Sequence, residues 1–66
     1  MKNNLRVERA ILKISQQYLA EMIGVSRQTI NAVESGKYIP STTLALKIAR
    51  YIKKPVETIF MLEADD

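Results

Sequence analysis

Sixty-six residues make one domain, and a chain of that length buries only about 60 % of the surface its unfolded form exposes. It contains no cysteine and no histidine, which excludes disulfides, thiolate or ordinary zinc sites, imidazole bases and thiolate nucleophiles. Ten Lys and Arg face three Glu over residues 1–54, a net +7, whereas residues 55–66 carry four acids and no base. A basic body with an acidic tail suits a polyanionic partner.

Apolar residues make up 47 % of the chain, enough for a packed core. No run of about 18 apolar residues is present to span a membrane. The N-terminal stretch begins basic, but Glu8, Arg9 and Lys13 interrupt its apolar positions. It does not read as a signal peptide, and the expected setting is the cytoplasm.

Five short helices are predicted. The first runs from about Leu5 to Leu12, with Leu5, Ile11 and Leu12 among its apolar residues; its pattern is the least regular in the chain. Ser15 is an N-cap candidate, because its hydroxyl can accept from a free backbone N–H one turn on. The second helix follows over 16–23, with Leu19, Met22 and Ile23 on one face and Gln17 and Glu21 on the other. Gly24 ends it in the left-handed conformation. Ser26 caps a third helix from Arg27 to about Ser35. Ile30 and Val33 fall on one side of that helix, and Arg27, Gln28, Asn31, Ala32 and Ser35 on the other.

Gly36 stops the third helix, and Lys37-Tyr38-Ile39-Pro40 leads to Ser41, a third cap. The fourth helix, over 42–52, is expected to bury Leu44, Ala45, Ile48, Ala49 and Ile52. Pro55 pushes Lys54 out of the helical region and opens a short fifth helix with Val56, Ile59 and Phe60 on its apolar side. Residues 61–66 read as a charged tail or a short extended segment. The fold class is all-α, a single domain over 1–66.

Two amphipathic segments around the tight turn Gly24-Val25-Ser26 have the layout of a helix-turn-helix over 16–35. In that motif the second helix lies in the DNA major groove with its N-terminal side chains at base edges. Arg27 can donate to guanine O6 and N7, Gln28 can pair with adenine N6 and N7, and Thr29 can offer its methyl to thymine or its hydroxyl to phosphate. No constellation for catalysis, metal or cofactor stands beside this. Glu8, Glu21 and Glu34 lie on separate predicted helices, and Gly24 and Gly36 are helix stops rather than a phosphate-cradling loop. The reading excludes an enzyme.

Ser15-Gln16, Leu19-Ala20, Gly24-Val25-Ser26, Thr29-Ile30, Glu34-Ser35-Gly36-Lys37, Pro40-Ser41, Leu44, Ile48-Ala49 and Ile59-Phe60 stand in the order and spacing of a known pattern. The chain resembles the phage-repressor (Cro/cI, or Xre-like) helix-turn-helix regulators over residues 1–62, closest to the small stand-alone type. The resemblance implies a five-helix lambda-repressor-like fold. In small relatives a terminal β-ribbon is sometimes added, here Lys2–Leu5 with Met61–Ala64. It implies base contacts from Arg27, Gln28, Thr29 and Asn31, phosphate contacts from Gln16, Lys37 and Tyr38, and an ion pair between Arg9 and Glu34. Arg6 and Lys13 are further cations for phosphate. Tyr38 reads equally as an apolar plug under its loop.

The function implied is a sequence-specific double-stranded DNA-binding transcriptional regulator, a repressor on a palindromic operator. One such domain reads only a few base pairs, so a homodimer is expected, with recognition helices about 34 Å apart. Its candidate interface is the C-terminal segment 52–66, with Ile52, Val56, Phe60, Met61 and Leu62, joined by Leu46 on the polar side of the fourth helix. The alternative is an antitoxin or adaptor that uses the fold to hold a regulatory protein partner, for which Ile11, Leu12 and Leu46 are the apolar candidates. The chain departs from the family in helix one. Glu8 stands at a usual core position, and Ile11 and Leu12 at usually charged ones. Either the helix is rotated or those two residues cover a partner.

Overall fold

The computed structural model describes residues 1–66. A short strand β1 (Lys2–Asn3) leads into α1 (Leu5–Leu12), α2 (Gln16–Ile23), α3 (Arg27–Glu34), α4 (Thr42–Ile52), α5 (Val56–Ile59) and a returning strand β2 (Phe60–Met61). None of the helices is long and apolar enough to cross a membrane.

Three serines start three helices. The Oγ atoms of Ser15, Ser26 and Ser41 accept the N–H groups of Tyr18, Thr29 and Leu44 at 3.0, 3.1 and 3.1 Å. Each such cap stabilises its helix by about 1 kcal/mol relative to alanine. Gly24, at φ 86°, turns the chain from α2 into α3. α1 and α4 end on Lys13 and Lys53, which take the same left-handed conformation without being glycine.

The core is a single cluster of twelve apolar residues drawn from every helix and from β2. Leu5, Leu19, Ile30, Ile48 and Ile59 are its fully buried centre. Ala20 of α2 is also fully buried, whereas Met22, expected on one face with Leu19 and Ile23, lies outside the core. Met22 instead points outward, 51 % exposed. Ala45 is half-buried at the core's edge.

Helix α1 is not rotated. Leu5 and Glu8 face inward, and Val7, Ile11 and Leu12 face solvent. Glu8, 6 % exposed, keeps the position of a core residue because Lys54, just past α4, reaches its carboxylate at 2.8 Å. A buried carboxylate is tolerated only when paired, and the left-handed Lys53 turns the chain where Lys54 makes that contact.

β1 and β2 pair antiparallel in the register Lys2↔Met61 and Asn3↔Phe60. The ribbon is shorter than expected and begins one residue earlier on the C-terminal side. The reason is that Leu5 opens α1 and is fully buried, and cannot also lie in a strand. The Asn4 N–H donates to the Ile59 carbonyl at 2.8 Å and extends the clasp by one bond. Asn3 reaches farther: its amide donates to the Val33 carbonyl at 2.9 Å, fastening the last turn of α3. The acidic tail folds back, and Glu63 and Asp66 meet the Met1 ammonium at 3.0 and 3.2 Å.

Candidate nucleic-acid interface

Helix α3 buries Ile30 and Val33 and turns Arg27, Gln28 and Asn31 outward. The buried pair joins the common core, and α2 is the helix with which α3 packs most closely. Arg27 and Gln28 stand in the first turn, just after the Ser26 cap, and are exposed. Five guanidinium donors and a free carboxamide are thus presented together. Thr29 is half-buried, and its hydroxyl lies 2.9 Å from the Ser26 Oγ. The same residue that caps α3 therefore also holds the Thr29 hydroxyl.

Asn31 is placed by α2. The Gln16 amide donates to the Asn31 Oδ1 at 3.3 Å and to the Glu34 Oε1 at 3.0 Å. Both hydrogens of Gln16 are spent inside the protein, so its side chain has only its oxygen left, which cannot donate to phosphate. A phosphate at this end of α2 would meet backbone N–H groups, since the first helical positions have no intrahelical acceptor. Asn31 retains both of its own amide hydrogens.

Glu34 is the hub beneath this surface. Its side chain is fully buried. Arg9 grips it twice, Nε to Oε2 at 2.7 Å and Nη2 to Oε1 at 3.3 Å, and donates through Nη1 to the Ile14 carbonyl at 2.8 Å. Arg6 approaches within 3.6 Å while remaining largely exposed. Burial alone would raise the Glu34 pKa. The hydrogen bonds from Arg9 and Gln16, with the charges of Arg9 and Arg6, outweigh burial and hold the carboxyl below its ordinary value. One ionised carboxylate thereby joins α1, α2 and α3.

Beyond α3, the N–H groups of Lys37 and Tyr38 both donate to the Ala32 carbonyl, at 3.0 and 3.2 Å. The connection is pinned against the helix end, and both side chains are exposed. Tyr38 at 45 % exposure is not a plug. Lys13 stands apart from these residues, at the rim of a groove formed with α2 and α4. The proposed interface residues divide. Leu46 and Leu62 are exposed and Val56 and Met61 half-buried, whereas Ile52 and Phe60 are buried within the protomer core. The last two close the fold from inside and present almost no surface to a second chain.

Asn3 and Lys54 were not singled out from sequence. The signal for Lys54 was Glu8 itself, since an acid at an inward position demands a cation. Nothing in the local pattern marks Asn3, whose role depends on a strand partner far along the chain.

An α2–turn–α3 unit with a solvated polar face on its second helix defines a helix-turn-helix protein. The sequence model of the helix-turn-helix family matches residues 5–59. The chain belongs to that family, in its Xre-like branch. It is 50 % identical to an uncharacterized HTH-type transcriptional regulator of Methanocaldococcus jannaschii, over the whole of both chains. It is 44 % identical to the uncharacterized HTH-type transcriptional regulator YgzD of Bacillus subtilis, again over the whole of both. A similarly named protein of Methanothermobacter thermautotrophicus is 46 % identical over 98 % of this chain and 96 % of its own.

Proposed function

We propose that this protein is a sequence-specific double-stranded DNA-binding regulator of transcription, acting as a repressor on an inverted-repeat operator as a homodimer. The observation that carries the reading is the outward face of α3, where Arg27, Gln28 and Asn31 are solvated and held on a capped, buried-backed helix. Arg27 reads guanine and Gln28 adenine, each good bidentate contact discriminating by roughly 1–3 kcal/mol. Asn31, with its oxygen engaged by Gln16, offers hydrogens to an acceptor such as a purine N7. Lys37, Tyr38 and the N-terminus of α2 contact phosphates and set affinity and salt dependence.

Dimerisation supplies the second half-site. Its surface is formed by Leu46, Val56, Met61 and Leu62, with Ile52 and Phe60 supporting it from beneath. Bound across a promoter, such a dimer represses by occupancy. Selection from a random duplex DNA library, sequenced after binding at near-physiological salt, tests the proposal. An enriched inverted repeat with half-sites about one turn apart supports it. Binding without enrichment that disappears as salt rises sinks it, and sedimentation as a monomer on and off DNA removes the dimer.

A further inference from the structure

A groove runs between the end of α1, α2 and the C-terminal half of α4. At about 1210 Å³ it exceeds the roughly 300–1,000 Å³ of small-molecule sites, a size suited to a stretch of polypeptide. It faces away from the base-reading surface. At about 100° per residue, Tyr18 and Met22 lie roughly 200–240° around α2 from Gln16, which is turned toward α3.

The floor of the groove is apolar and open: Leu12 and Tyr18 are each 44 % exposed and Met22 51 %. Its rim is cationic, formed by Lys13, Lys47, Arg50 and Lys53 with no acid among the lining residues. None of those four is ion-paired, whereas Arg6, Arg9 and Lys54 elsewhere are. Lys13 and Lys53 are also the two non-glycine residues with positive φ, at 58° and 65°. Glycine would relax both helix ends, yet both carry a lysine, and both lysines stand at this groove. The chain's own acidic tail does not fill it, because Glu63 and Asp66 are held by the Met1 ammonium. A phosphate backbone would leave the apolar floor unused, and an uncharged apolar partner would leave four cations unanswered.

We propose that this groove docks an acidic segment of another protein, seating large apolar side chains on Leu12, Tyr18 and Met22 and carboxylates against the cationic rim. The site goes beyond the DNA-binding reading and does not depend on it. The α3 face stays open when the groove is filled, and the groove adjoins the phosphate-contacting N-terminus of α2 only at its Lys13–Ser15 end.

The test is a random-peptide display library selected on the full chain and on the Lys47→Glu/Arg50→Glu variant, with circular dichroism establishing that the variant is folded. Recovered peptides are expected to carry Asp and Glu flanking Leu, Phe or Trp. Their affinity should fall about tenfold or more in the variant and weaken with salt. On the isotope-labelled protein they should shift the amide resonances of residues 12–22 and 47–53 and leave residues 27–31 unmoved. Lys53→Gly gives a second readout: melting temperature rises while peptide affinity falls, opposite directions that a merely structural role cannot produce. Four results would overturn the proposal: no enrichment, enrichment of peptides without acids, peptides that bind the variant equally well, or resonances of residues 47–53, far from the α2 N-terminus, that move on adding duplex DNA instead. Loss of self-association in the variant would also overturn it, by assigning the groove to a second copy of the chain.

Discussion

Replacing Lys54 by methionine leaves the Glu8 carboxylate, 6 % exposed, without the cation that reaches it at 2.8 Å. Breaking a fully buried pair costs about 3–5 kcal/mol. Lys54 is 41 % exposed, so solvent screens the pair and about 2 kcal/mol is the expected loss. A domain of this size has a total stability of about 3–10 kcal/mol, so that loss is a large fraction of the whole. It corresponds to a fall in melting temperature of about 8–16 °C. Glu8→Leu should move the other way. It removes the desolvated carboxylate and buries a side chain that contributes about 1.5–3 kcal/mol, while Lys54 turns to water. Less the lost ion pair, a net gain of about 1 kcal/mol is expected. Once Glu8 is leucine, Lys54→Met should have almost no effect. Urea unfolding followed by far-UV circular dichroism, at neutral pH and one protein concentration, measures all four proteins of the cycle. The reasoning fails if Glu8→Leu is less stable than the parent by 1 kcal/mol or more, about the whole gain predicted, or if Lys54→Met unfolds at the same urea concentration as the parent.

Gln28→Ala should flatten base preference with nonspecific binding nearly intact, whereas Lys37→Ala should weaken all sequences alike and reduce the salt slope by about one unit; binding isotherms on operator and scrambled duplexes separate the two. Glu34 has a folded-state pKa below its ordinary value of 4.5, so its stabilisation is fully present above that value and is lost as pH falls through the lower folded one. Glu34→Gln should flatten that acid limb of the stability profile in a pH series of urea melts. Lys53→Gly relieves a left-handed residue at about 1–2 kcal/mol and loosens the unfolded chain by about 0.4–1 kcal/mol. A net gain of about 0.5–1 kcal/mol by thermal melt is expected. Asn3→Ala removes the donor to the Val33 carbonyl and the acceptor of the Leu5 N–H. A loss of about 1–3 kcal/mol, with faster amide exchange in the last turn of α3, should follow.

Where a feature is local, the sequence carried it. The three serine caps, the glycine stop at Gly24 and the proline before α5 set helix ends that the structure reproduces within a residue. The outward face of α3 was readable because its buried positions, Ile30 and Val33, repeat at helical spacing. What was not readable depends on which distant side chain answers another. Glu8 broke the apolar pattern of α1, and only the arrival of Lys54 from the far end of α4 explains why the helix keeps its orientation. Gln16 carries nothing local that says its amide is consumed by Asn31 and Glu34 rather than free for phosphate. Phe60 and Ile52 are apolar residues near the C-terminal end, a description that fits a core and an interface equally. Burial, a property of the closed fold, decided between them.

The ribbon separates possessing a motif from being able to use it. Residues 16–35 contain both helices and the turn, yet the last turn of α3 is fastened by Asn3, and Asn3 is itself held by Phe60. During synthesis α3 emerges well before the strand that completes its clasp. A fragment that stops short of residue 60 would contain the whole helix-turn-helix and still lack the strand that holds Asn3 against it. The motif is written by residue 35, and its seating is finished only at residue 60.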